Sequence, residues 1–131
     1  MVNLDALGKL LLRGSLGGMM LFHGVNKLLH PASLNFIGGK LAAMGLPEQL
    51  AYGVYAGEVL APLLIIIGLY TRLGGLLIVI NMLFAIALAH GGDLLSLGGH
   101  GGWALELQGF YLFAALAIVF MGSGRFAVRP D

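Results

Sequence analysis

Three basic side chains inside a membrane-length apolar run constrain this chain more than any other feature. Leu10 to Leu29 reads LLLRGSLGGMMLFHGVNKLL and contains Arg13, His23 and Lys27. About 20 apolar residues suffice to cross a bilayer as a helix. An Arg or Lys at mid-bilayer costs at least ~2.5 kcal/mol, so such residues turn away from lipid. On a helix of about 100° per residue, Arg13, His23 and Lys27 fall on one stripe less than a quarter-turn wide. Asp5 and Lys9, just upstream, fall on it too, and Gly17, Met20 and Gly24 share it. Leu4, Leu11, Phe22, Val25 and Leu29 take the opposite side. The pattern predicts a helix with its polar, small face turned into a bundle and its apolar face toward lipid.

The rest of the chain agrees. Of 131 residues, 59% are hydrophobic and 10% charged, with mean hydropathy +0.95. A soluble domain carries ~25% charged residues. The expected fold class is all-α, a polytopic membrane four-helix bundle forming one domain over residues 1–131. A net charge of +1 without a basic cluster gives no footing for nucleic acid. The absence of cysteine excludes thiolate-held iron–sulfur clusters and thiol redox centres. Asp5, the length of the run and the lack of a small-residue cleavage site argue against a cleavable signal peptide.

Four helices are expected, at about 3–29, 49–70, 73–90 and 103–121, with an interfacial segment at about 33–44. Pro31 stops the first helix, Pro62 places a tolerated kink in the second, and Thr71-Arg72 forms the turn into the third. Trp103, Tyr52 and Tyr70 sit at segment ends, as interfacial aromatics do. Residues GSGRFAVRPD end the chain as a basic tail. Lys9, Arg13, Arg72, Arg125 and Arg129 gather on one side, against Lys27 and Lys40 on the other. The positive-inside rule then puts both termini in the cytoplasm.

Every segment carries a polar residue: Arg13, His23 and Lys27 on the first, Glu58 on the second, Asn81 and His90 on the third, Glu106 and Gln108 on the fourth. At ~1.5 Å per residue from the outer ends, His23 lies ~10 Å deep, Glu58 ~15 Å and Arg13 ~24 Å. A buried carboxylate needs a cationic or hydrogen-bonding partner. Arg13 is the first expected partner of Glu58, because it holds its proton and binds carboxylates bidentately; His23 is the second. Lys27, Glu106 and His90 form a second expected group at an outward-facing mouth. Each has a plainer reading. The Arg13–Glu58 pair is structural, or Arg13 snorkels to headgroups; His23 packs rather than moves protons; Lys27 and Lys40 meet headgroups. Asn81 bonds across helices. His90, Asp93, His100 and Glu106 match no compact metal-ligand spacing, and histidines on two helices make only a weak haem pattern.

The order and spacing of these residues resemble one family. R-x3-G followed by HGxxKL (Arg13, Gly17, His23, Gly24, Lys27, Leu28) precedes GLP at 45–47, the lone Glu58, GLYTR at 68–72, His90, Glu106 and GSGR at 122–125. The set is similar to that of the DoxX family of small four-helix membrane proteins of bacteria and archaea, over nearly the whole chain. The resemblance implies a multi-pass protein of a prokaryotic cytoplasmic (inner) membrane. It also implies quinone-linked oxidoreductase activity with a partner redox subunit or as a homo-oligomer, since the family takes its name from the membrane subunit of an archaeal thiosulfate:quinone oxidoreductase. It supplies no catalytic residues to carry over. The catalytic candidates read from the residues are His23 and Glu58, as proton donors or relays. The ligand-binding candidates are Arg13, Lys27, Asn81, His90 and Glu106, with Phe22, Tyr55 and Phe110 as slot-lining aromatics. No metal site is expected, and the residues leave the cofactor open, with quinone as the candidate and no iron–sulfur or thiol centre. The alternative is a non-catalytic assembly or small-ligand-binding membrane protein in which the Arg/Glu/His set is structural. A transporter is disfavoured by the lack of an inverted repeat.

Overall fold

A computed structural model describes residues 3–89, 97, 102 and 105–131. The expectations for His90, Asp93, His100 and Trp103 lie outside the described residues. Helix α1 spans Leu4–Leu29, α2 Ala32–Ala43, α3 Glu48–Ile67, α4 Thr71–Ala89 and α5 Glu106–Met121.

Local chemistry sets the ends. The Asn3 side chain caps α1 by accepting from the Ala6 N–H at 3.0 Å. Helix α1 stops before Pro31, as the sequence predicts. Helix α2 ends in a Schellman motif: Leu46 N–H donates to Leu41 C=O and Gly45 N–H to Ala42 C=O, with Gly45 left-handed at φ 77°. Helix α3 opens with a 3-10 turn after Pro47. It stops at Ile67, three residues before the predicted end, because Gly68 takes a left-handed cap at φ 81°. The reversal into α4 is therefore Gly68–Tyr70, with Tyr70 also left-handed at φ 50°, and Thr71 and Arg72 belong to α4.

The irregularity predicted at Pro62 lies one turn earlier. Residues Ala56–Leu60 form a π-turn, and the α-helix resumes at Ala61. Proline has no N–H, so Pro62 offers no i→i−4 bond to the Glu58 carbonyl. A single π-turn in this position widens the helix just where Glu58 projects.

Helices α1, α3, α4 and α5 pack around one core of Leu16, Met20, Ala61, Ile65, Ile78 and Ile118 with their neighbours. Helix α2 packs on the first turn of α3, where Gly38 faces Glu48. Glycines set the close approaches: a Cβ at Gly17 would lie 2.6 Å from Ile66 Cγ1, and one at Gly74 would lie 2.8 Å from Ile65 Cγ2.

The exterior is apolar. Leu4, Leu11, Phe22 and Leu29 are 72–80% exposed, all on the face of α1 predicted to meet lipid. Arg13, Gly17, Met20 and Gly24 are buried on the other face. Among the described residues, Glu48–Ile67 and Thr71–Leu88 are long and apolar enough to cross a membrane, with mean hydropathies of 1.9 and 2.0, and Glu106–Met121 is a shorter apolar helix.

Candidate functional site

Helices α1 and α3 run antiparallel in a register fixed by small residues. Gly24 abuts the Glu58 carbonyl, where any Cβ would overlap the oxygen. Gly17 faces Pro62 and Ile66, and Arg13 reaches Ile65 and Ile66. Gly57 does for α4 what Gly24 does for α1, since a Cβ there would overlap the Asn81 side chain. Three helices thus close on Glu58.

The carboxylate is buried, and both its oxygens are engaged. Lys27 Nζ donates to Oε1, and Asn81 Nδ2 donates to Oε2 at 2.9 Å. Lys27 sits one turn above Gly24, but helix side chains lean toward the N-terminus. Its ammonium therefore reaches back to the level of Glu58 instead of out to headgroups. The ion pair answers the requirement that a buried carboxylate be partnered, and the interhelical bond expected of Asn81 is present.

Arg13 is not the partner of Glu58. It lies eleven residues before Gly24, roughly 16 Å along the helix, beyond the reach of its side chain. Counting each residue from its own helix end missed this, because α3 runs about 7 Å farther out than α1 when measured from the Gly24–Glu58 contact. Arg13 instead caps the other end of α3. Its guanidinium, 1% exposed, donates to Ile65 C=O (Nε, 2.8 Å), Ile66 C=O (Nη2, 3.1 Å), Ser123 C=O (Nη1, 3.0 Å) and Phe126 C=O (Nη1, 2.6 Å). Val128 and Arg129 N–H groups bond Ile67 and Gly68 C=O, while Gly68 and Leu69 N–H groups bond Leu64 C=O. The carbonyls that a helix C-terminus leaves without partners are thus satisfied from Leu64 to Ile67. The predicted basic tail is part of the fold: Arg72 holds Asp131 through its backbone N–H (3.1 Å) and Nε (3.2 Å).

Above Glu58 opens a cleft of about 640 Å³ between the helices. Lys27, Glu58 and Asn81 supply a charged, hydrogen-bonding part of its lining, His23 and Tyr111 border it too, and Phe36, Ile80 and Phe84 line its apolar part. The His23 ring meets Tyr111 edge-on at 5.7 Å. The aromatics expected in a slot are elsewhere. Phe22 (80% exposed) and Phe110 (73%) face outward, and Tyr55 packs near Tyr52. One-residue neighbours replace two of them: His23 beside Phe22, and Tyr111 beside Phe110. Glu106 stands exposed at the start of α5 and is not a partner of Lys27. Helix α2 adds Ser33, Phe36, Ile37, Lys40 and Leu41, a stripe spaced three and four residues apart. That spacing was readable as one helix face, but not which way the face turned. No cluster of three or more metal-ligating side chains occurs among the described residues.

An all-helical protein with an apolar exterior and a cleft lined in part by a buried ion pair is the class these features define. The DoxX family model matches residues 8–91, which include Arg13, the whole Gly24–Lys27–Glu58–Asn81 constellation and the α2 stripe. The chain belongs to the DoxX family and is, by family, a multi-pass membrane protein. No curated protein and no solved structure matches it.

Proposed function

We propose that this DoxX protein handles an isoprenoid quinone in the cleft above Glu58, as a subunit of a membrane oxidoreductase whose electron carriers reside on a partner. The observation that carries this reading is a cleft of about 640 Å³ whose lining combines the charged, hydrogen-bonding Lys27–Glu58–Asn81 group with apolar side chains. Its size is that of a small-molecule site, and its two-part lining suits a head with acceptor oxygens on an apolar tail. Lys27 gives one N–H to Glu58 and has two more to offer a quinone carbonyl. His23 and Tyr111, edge-on to each other, add polar atoms and ring edges to the same lining. A quinone supplies two-electron chemistry that also takes two protons. His23 and Glu58 are the groups of this chain placed to hold or pass protons at its oxygens. In this reading both termini face the cytoplasm, and the cleft opens toward the outer leaflet of a prokaryotic inner membrane.

A second reading rests on one observation. Both Glu58 oxygens are already engaged, as they would be if the cluster only held three helices together in a non-catalytic assembly protein.

Native mass spectrometry with lipid extraction, on protein purified in mild detergent from its own membranes, separates the two. A stoichiometric quinone that is lost in Lys27→Met supports the first reading, provided the variant stays folded. A reproducible partner protein with no small molecule supports the second.

A further inference from the structure

We propose that the same cleft admits a monoanionic amphiphile, a single carboxylate on an apolar chain, held at its head by Lys40. The inference rests on the cleft being a ligand site, not on its ligand being a quinone.

The argument begins with charge. The described lining holds two lysines, Lys27 and Lys40, and one carboxylate, Glu58. Lys27 and Glu58 neutralise each other. Lys40 has no acidic partner among the described residues; its ammonium rests over the Phe36 ring at 5.4 Å. Among the described residues the cleft therefore carries one positive charge without an acidic partner, on an exposed ammonium at its edge beside Phe36.

Hydrogen bonding points the same way. Lys40, the remaining N–H groups of Lys27 and the Ser33 hydroxyl are all donors. The strongest acceptor, Glu58, has both oxygens engaged. Asn81, Gln108 and Tyr111 also offer acceptors, so it is the unpaired Lys40 charge that favours an anion; an ionised carboxylate only accepts, and Lys40, Lys27 and Ser33 can all donate to it. Leu77, Ile80, Phe84 and Leu88 then offer the chain an apolar bed along α4. The volume is that of a site for one drug-sized molecule, which suits one chain and not a two-chain phospholipid.

The test uses the whole protein in nanodiscs of neutral phosphatidylcholine at pH 8. The probes are a photoreactive palmitic acid and its methyl ester, with labelled residues mapped by mass spectrometry. The expected result is labelling on α2 and α4 that excess palmitate suppresses, at least ten-fold greater for the acid than for the ester. Lys40→Gln, a change at an exposed position, should bring the acid down to the ester's level. Equal labelling by acid and ester, or a preference that survives in Lys40→Gln, overturns the proposal. Titrating a short-chain quinone into the same nanodiscs separates the two readings. Quinone binding without an acid preference removes only this inference, and an acid preference dependent on Lys40 without quinone binding removes only the quinone reading.

Discussion

Gly24 and Glu58 meet backbone to backbone: the glycine Cα lies against the Glu58 carbonyl, where no side-chain carbon fits. That carbonyl is the one to which Pro62 can offer no N–H. A proline on α3 thus frees an oxygen, and a glycine on α1 lets a neighbouring helix cover it. Gly24→Ala should force the helices apart and destabilise the protein by about 3 kcal/mol, the upper end of overpacking costs. Thermal unfolding in detergent would check this. A melting temperature equal to wild type would mean that α1 and α3 do not meet here.

The Lys27–Glu58 pair calls for a double-mutant cycle. Removing the cation in Lys27→Met leaves a buried carboxylate with only Asn81, at a cost of about 3 kcal/mol. Lys27→Met combined with Glu58→Gln should cost clearly less than the two single changes added together. Unfolding measured for the four proteins decides the matter, and strict additivity would deny direct contact.

Asn81→Leu removes one interhelical hydrogen bond, worth about 1 kcal/mol in a membrane bundle. Its larger expected effect is on ligand, because Glu58 Oε2 is then left to face the cleft. Quinone retention by native mass spectrometry should fall more than stability does. A variant that unfolds readily but keeps full occupancy would place Asn81 outside the site.

How much of this was legible depended on the range of the interaction. The lipid-facing and buried sides of α1 followed in the main from periodicity within one helix, with Leu4 and Phe22 outside and Arg13 and Gly24 inside, although Asp5 and His23 of the polar stripe are exposed near the helix ends. Partnership between helices did not follow. Depth counted along each helix assumes that all helices begin at one plane, and α3 does not begin where α1 ends. The assumption paired Arg13 with Glu58 and set Lys27 apart from it, with Glu106 and His90 at the outer mouth. Gly24 was on the page as a member of the small face, but what it packs against is a tertiary fact. The aromatic lining slipped by one residue for the same reason: helical periodicity gives a face, and only packing says which edge of that face borders the cleft.

Arg13 and the final segment should fail together. Arg13→Leu strips partners from the Ile65 and Ile66 carbonyls and from the segment at 123–126, at an expected cost of about 3 kcal/mol or more, since each buried group left unpaired costs ~1–3. Truncation after Gly122 should cost a similar amount, and the two combined should be well below additive. Protease resistance and thermal unfolding in detergent would both report it. A truncated protein as stable as wild type would show that residues 123–131 contribute nothing to the clasp.

The same clasp orders events during synthesis. Arg13 leaves the ribosome 110 residues before Ser123, whose carbonyl, with that of Phe126, follows only after α5. Until then the first helix carries a guanidinium into the bilayer with half of its final acceptors still unmade. Helix α3 can meet two of the guanidinium's donors earlier, but the clasp on Arg13 closes only when the segment at 123–126 has been made.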